Sequence, residues 1–277
     1  MHSATLQFIE AMQLAGLSPP SHLEADVMVR FAGSGKGKAN KAAWCKLFAD
    51  GSGGVYGDYS TGFSASWHVT REALAQPLTP SQREAFKQQI AIAKAANAAH
   101  EAAKHAQASK VAAAIWGKAQ AAPSDHAYLV RKAIAAHGAR AHKGALLIPV
   151  REGATLYSLQ FIDGDGTKRF LTGGRKRGCY YSIGDKGGAK ALCIAEGFAT
   201  GATIHQATGY LVAVAFDAGN LEPVAITLRA KFPTLPIILC ADDDKDTVGN
   251  TGLTKATAAA RAVNGRVAVP TFAGVAT

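Results

Sequence analysis

The chain has little of what would build a metal-stapled module. Its four cysteines, Cys45, Cys179, Cys193 and Cys240, include no Cys-x-x-Cys pair and no histidine at ligand spacing. That pattern argues against a zinc ribbon. Cys193 and Cys240 fall inside apolar runs that read as core strands, so both are expected as buried thiols. Charged residues make up only 18% of the 277 positions against 48% hydrophobic, a balance that argues against disorder. The longest apolar runs are strand length, and the start at Met1 lacks the zones of a signal peptide. A soluble, cytoplasmic protein with no membrane partner is expected. Acids are scarce too: 20 Asp and Glu stand against 30 Lys and Arg, for a net charge of +10. Such an excess suggests a polyanionic partner without separating DNA from RNA or a membrane surface. The length suffices for two domains with proper cores.

Several of the scarce acids stand at the ends of apolar runs. Residues 191–270 read as a strand ending in Ala195-Glu196-Gly197, a helix, a strand over 211–216, a helix, and a strand over 237–240 ending in Asp242-Asp243-Asp244. A last helix and a short strand over 266–269 follow. Strands alternating with helices of about a dozen residues imply βαβ crossovers and a parallel sheet. Sites in such sheets gather beyond the carboxyl ends of the strands, where strand order reverses. An order 2-1-3-4 makes the first and third strands neighbours about 4.8 Å apart, with Glu196 facing Asp242 and Asp244. That geometry predicts a divalent-metal site, in which Asp243 points away and Asp246 adds an outer-shell oxygen. Carboxylates without Cys or His suit magnesium or manganese, the ions that neutralise charge in phosphoryl transfer.

A Glu-Gly after the first strand and an Asp-x-Asp after a later one, in a compact βαβ array, resembles the Toprim domain of bacterial-type primases, topoisomerases and some nucleases. The flanking text narrows the resemblance: Tyr128-Leu129, Leu147-Ile148-Pro149, Ser158-Leu159-Gln160-Phe161-Ile162, Asp165-Gly166-Thr167-Lys168-Arg169-Phe170-Leu171 and Asp217-Ala218-Gly219-Asn220-Leu221. Together these are similar to the Toprim primases of conjugative plasmids and related mobile elements, over roughly residues 124–272. The resemblance implies that Asp242 and Asp244 bind metal while Glu196 binds metal or assists proton transfer. It also implies a DNA-dependent RNA primase that joins ribonucleoside triphosphates on single-stranded DNA, with a replicative helicase as a candidate partner. Two features depart from the bacterial pattern. Thr200 stands four after Glu196, where an Asp is usual, and no acid follows the final strand. Asp217, at the end of the second strand, is the candidate substitute. A Toprim nuclease would use the same carboxylates with water as nucleophile, a topoisomerase would need a catalytic Tyr on an added domain, and a nucleic-acid-binding accessory would have a degenerate site.

The remainder reads as three parts before a Toprim domain at 191–277, an α/β architecture overall. Residues 1–78 form a small, mostly β module with glycine turns, closed by Trp67, that stands where a zinc ribbon would read template. Its Gly33-Ser34-Gly35-Lys36-Gly37-Lys38 run falls short of a P-loop, because the second Gly comes one residue early and no Ser or Thr follows Lys38. A phosphate-backbone contact and a solvated turn stay open for it. Its aromatics, Trp44, Phe48, Tyr56, Tyr59, Phe63 and Trp67, are expected mostly in the module's core, with base stacking as the alternative. Residues 79–122 form a long Ala-rich helix, polar enough to be a connector, with His100 and His105 solvated. Residues 123–190 restart a helix ended by Gly138, then turn to strands at 146–150, 155–162, 168–171 and 179–183. The 163–167 turn is read as a hairpin rather than a calcium loop. It presents Lys168 and Arg169, and the next loop adds Arg175, Lys176 and Arg177, a set suited to triphosphate or template phosphates.

Overall fold

The computed structural model describes residues 2–69, 79–185, 187–242 and 250–270, and the chain divides into two units, Met1–Ala102 and Ala103–Thr277. The first unit begins with helix α1 (His2–Leu14), followed by strands β1 (Val29–Phe31), β2 (Ala43–Leu47), β3 (Gly53–Asp58) and β4 (Phe63–His68). The four strands pair antiparallel in chain order, the β module expected from the glycine-punctuated sequence. Phe8 and Met12 of α1 are fully buried against Cys45, Leu47 and Tyr56. Gly53 and Gly54 open β3. A Cβ at Gly53 would lie 2.2 Å from the Phe86 ring and one at Gly54 2.8 Å from Phe8, so only glycine admits these rings to the sheet face. Trp44, Phe48 and Tyr56 are core residues, whereas Phe63 remains 39% exposed. Burial pushes the Cys45 thiol up to about 12.

Helix α2 (Pro80–Lys118) runs unbroken for 39 residues. Its polar composition suggested a connector. The structure shows a helix that packs, and its buried apolar residues are alanines, Ala93, Ala108 and Ala112. Ala93, with Phe86 and Ile90, joins Trp44, Phe48 and Val55 in the first unit, and Ala112, with Ile115 and Trp116, joins Leu147, Leu159 and Phe161 in the second. Alanine offers a backbone-close contact that carries almost no weight in a hydropathy pattern. His105, expected in solvent, contacts the Gly173 carbonyl through Nδ1 at 2.9 Å, and Ser109 Oγ donates to the Leu156 carbonyl at 2.6 Å.

The second unit holds two sheets. One is antiparallel, from β5 (Gln120–Ala121), β6 (Arg140–His142), β7 (Ala145–Glu152), β8 (Thr155–Ile162) and β9 (Lys168–Phe170), in that order. The helix expected up to Gly138 is only α3 (Ala127–Lys132), because Ala133 turns left-handed at φ +52° and ends it. Between β8 and β9, Asp165 accepts from the amide and hydroxyl of Thr167, so its carboxylate closes the hairpin.

The other sheet comprises β10 (Tyr181–Ile183), β11 (Leu192–Ala195), β12 (Leu211–Val214), β13 (Ile237–Cys240) and β14 (Arg266–Ala268), with helices α4 (Phe198–Thr208), α5 (Leu221–Lys231) and α6 (Thr251–Ala262) between them. The order is β10-β12-β11-β13-β14, and the four strands after β10 are parallel. This contains the expected 2-1-3-4 arrangement. Strand β10, expected with the antiparallel sheet, pairs antiparallel with β12 and extends the parallel one at its edge. Both faces are covered. Phe198 and Ala202 of α4 pack with Cys193, Val212 and Val214 on one side, and Leu228 of α5 and Ala256 and Ala260 of α6 pack with Ile194, Ala213 and Leu239 on the other.

Gly201 sets how closely α4 approaches the sheet. A Cβ there would lie 2.8 Å from Val214 Cγ2 and 3.3 Å from Val212 Cγ1. Alanine gains about 1 kcal/mol of helix propensity over glycine, but overpacking a close-fitted core costs about 1–3 kcal/mol. Gly201→Ala is therefore expected to lower the melting temperature by a few degrees. A thermal melt at or above that of the unsubstituted chain would contradict this packing.

Candidate active site

The site grows from the pairing of β11 with β13. Their register sets Ala195 opposite Cys240, so Glu196 and Asp242 leave the sheet from the carboxyl ends of adjacent strands. Both are half-buried, and Glu196 Oε1 is shut off from solvent. Beneath them Cys193 and Cys240 share a face and a thiol hydrogen bond, which lowers the Cys193 pKa, while that bond and burial raise that of Cys240. Asp244 and Asp246, the other two acids expected at this end, lie outside the described residues, as does Asp243. Among the described residues no group of three or more His, Cys, Asp or Glu side chains could hold a metal ion. The donors that are in place are carboxylate oxygens, the chemistry that hard divalent cations prefer.

Helix α4 begins just beyond Glu196, and its capping residue Gly197 has no side chain to accept a cap bond. A Cβ at Gly197 would lie 3.7 Å from Thr200 Oγ1 and 3.9 Å from Lys168 Nζ. Thus the start of an 11-residue helix, a hydroxyl and an ammonium group meet beside the carboxylates. Helix starts and lysines both favour phosphate oxygens, so this corner suits an anion next to a cation site.

The five expected cations do not act as one cluster. Lys168 reaches the site. Arg169 ion-pairs with Asp163 at 3.5 Å and stacks 4.5 Å from the centre of the Phe161 ring. Arg175 is held by Glu152 at 2.6 Å and by the Tyr157 ring at 4.3 Å. Lys176 pairs with Asp217 and lies 5.0 Å from the Phe170 ring centre. Arg177 is exposed. Asp217, the candidate substitute ligand, is thus ion-paired, and its Oδ1 also accepts from the Asn220 amide at 3.0 Å.

Two residues that sequence reasoning left without a role join the basic segment to the sheet. Asn220 is 3% exposed. Its Oδ1 accepts from the Gly178 amide at 2.8 Å, and its Nδ2 donates to the carbonyls of Lys176, Cys179 and Ala215 at 3.2, 3.0 and 2.8 Å. Phe216 stands at φ +75°, a conformation rare for a large side chain, and meets Phe170 of β9 edge-on at 5.8 Å. The run Asp217-Ala218-Gly219-Asn220 signals a capped turn, but only the fold shows what the Asn side chain grips.

Residues 190–272 match the Toprim domain family, and that part of the chain is a Toprim domain. Toprim domains bind divalent metal ions. The chain is also similar to two DNA primases TraC from Escherichia coli. Identity is 46% and 45% over 124 residues, or 42% of this chain, and the match spans 12% and 9% of those relatives' lengths. The similarity is thus to a small part of much longer proteins.

Removing the Asn220 side chain would orphan a buried amide and several carbonyls, at about 1–3 kcal/mol for each group left without a partner. Asn220→Ala is expected to destabilise the second unit by at least about 2 kcal/mol, read as a lower denaturation midpoint. An unchanged midpoint would mean that these bonds do not hold the 175–179 loop.

Proposed function

We propose that the chain carries the catalytic part of a DNA-dependent RNA primase, joining ribonucleoside triphosphates on a single-stranded DNA template in the cytoplasm. The observation that carries this reading is the placement of Glu196 and Asp242 on adjacent, in-register strands with Lys168 beside Gly197. The primase relatives support it. In this reading Glu196, Asp242 and Asp244 hold magnesium or manganese, and Asp246 orients the outer shell. A divalent ion bound there neutralises charge on the transferred phosphoryl group. The 3′-hydroxyl of the growing primer forms a bond to the α-phosphorus, the bond to the bridging oxygen breaks, and pyrophosphate leaves. Lys168 and the start of α4 orient the triphosphate, Glu196 assists removal of the hydroxyl proton, and the exposed Arg177 follows the template backbone. A replicative helicase is the natural partner for delivering single strands.

The test incubates the chain with single-stranded DNA, magnesium and labelled ribonucleotides. Asp242→Asn keeps the size of the side chain but removes the charge, and loss of such an electrostatic contribution typically slows a reaction by about a hundredfold or more. Primer synthesis is expected to fall by at least that factor while DNA binding persists. Synthesis at the original rate, or cleavage of the DNA in place of synthesis, would overturn the proposal. Lys168→Ala is expected to raise the KM for ribonucleotides several-fold, whereas Arg169→Ala, already engaged by Asp163 and Phe161, changes it little. Equal effects of the two substitutions would contradict the placement of Lys168.

A further inference from the structure

The β1–β2 loop belongs to the first unit and takes no part in the site above. It covers residues 32–42, and hairpin loops usually take about two to five residues. A longer exposed loop held in a defined shape is a common carrier of binding function. This one is held at several points. The Gly33 and Ala42 amides both donate to Asn40 Oδ1, at 3.0 and 2.9 Å. The Ser34 amide donates to Asp58 Oδ2 at 2.8 Å. Two inner turns close through Lys36 N to Gly33 O at 3.0 Å and Asn40 N to Gly37 O at 2.9 Å.

Asp58 anchors this ordering. It is 1% exposed, and its other oxygen accepts from the Ser60 amide and hydroxyl, each at 2.7 Å. Burying a carboxylate is costly unless its oxygens are satisfied, and here one of them is satisfied by the loop's own backbone. A Cβ at Gly33 would strike that oxygen at 2.7 Å. The loop is therefore clamped at its root by a buried charge while its crest stays in solvent.

The crest is cationic. Arg30, Lys36, Lys38, Lys41 and Lys46 all fall between Asp26 and Asp50, a span without an acid. Arg30 is engaged by Glu101 and Lys46 by Asp26 at 2.7 Å. Lys36, Lys38 and Lys41 are exposed and make no ion pair among the described residues. We propose that residues 32–42 form a second nucleic-acid contact, directed at the phosphate backbone and separate from the carboxylate site. The loop carries no aromatic side chain to stack on a base, so the contact is tolerant of sequence. It carries no apolar side chain larger than alanine, so nothing on it could anchor in a lipid layer. It leads into strand β2 rather than a helix, so it lacks the helix start on which a nucleotide P-loop relies. Gly35 and Gly37 leave the backbone open to close approach by phosphate oxygens.

The experiment measures binding alone, so it reads the loop even if primer synthesis fails. Full-length chain with Lys36→Ala, Lys38→Ala and Lys41→Ala is titrated against labelled oligothymidine and against a duplex over a range of salt. Single-strand affinity at low salt is expected to fall at least tenfold. The log-log salt slope should shrink by about 2 for single strands, near 0.7 for each phosphate no longer neutralised, or more for duplex at near 0.9 each. The corresponding triple Lys→Arg variant should retain the original affinity and slope. If the triple alanine variant is misfolded by circular dichroism, each single Lys→Ala variant should lower the single-strand slope by about 0.7. Affinity and slope unchanged in these variants would overturn the proposal. So would nucleic-acid binding left intact with loss of binding to vesicles of phosphatidylserine and phosphatidylcholine, which would assign the loop to a membrane surface.

Discussion

The carboxylate-bearing end of this chain depends on β11 lying between β12 and β13. The connection through α4 leads from β11 to one neighbour, and the connection through α5 leads from that neighbour back across β11 to the other. Because parallel crossovers are right-handed, moving in opposite directions along the sheet puts the helices on opposite faces. That is why α4 packs with Cys193 and Val214 while α5 and α6 pack with Ile194 and Leu239. The reversal also leaves a crevice at the carboxyl end of β11, with no crossover passing over it. Glu196 stands at that crevice because it follows the last paired residue of β11, and Asp242 stands beside it because Cys240 is the register partner of Ala195. A slip of one residue in this pairing would exchange the buried faces of β13.

A second constraint brings the cations to the acids. Strand β10 leaves the antiparallel sheet's surroundings and pairs with β12, so the loop before it must run past the end of the parallel sheet. Asn220 fixes that loop by gripping backbone groups of Lys176, Gly178 and Cys179 together with Ala215 at the end of β12. Phe216 adds a packed joint with Phe170, at the cost of a left-handed backbone worth about 1–3 kcal/mol of strain. Strain of that size persists where the surroundings over-determine a residue, and here it turns the chain so that Asp217 meets Lys176. Lys176 and Arg175 are thereby held by acids at rest, whereas Lys168 points along the short β9 toward Gly197.

Much of the parallel sheet was legible because strands buried on both faces are written as unbroken apolar runs. Leu192–Ala195, Leu211–Val214 and Ile237–Cys240 are such runs, each followed by an acid or a turn residue. Glu196 and Asp242 could be placed from them with elementary topology. The misplacement of β10 has a different origin. Three residues, Tyr181-Ser182-Ile183, carry too little pattern to say which sheet they will join, and the answer comes from pairing with Val212 to Val214 about thirty positions later in the chain. The packing of α2 was hidden because its buried apolar residues are alanines, and the clamp by Asn220 because a short polar side chain reads equally well as a turn or a grip. Five cations close in sequence suggested one phosphate site, yet charge counting cannot see Asp163, Glu152 and Asp217 folding back to meet three of them.

In the proposed site Glu196 and Asp242, from adjacent strands, hold one divalent cation. This is tested most directly by loading the chain with ferrous iron in place of magnesium, adding ascorbate and peroxide, and mapping where the backbone is cut by the radicals generated at the metal. Two clusters of cuts are expected, around Glu196 and around Asp242, both suppressed by excess magnesium and both abolished together in Glu196→Gln. Cuts confined to one strand end, cuts elsewhere in the chain, or a pattern that survives Glu196→Gln unchanged would contradict it.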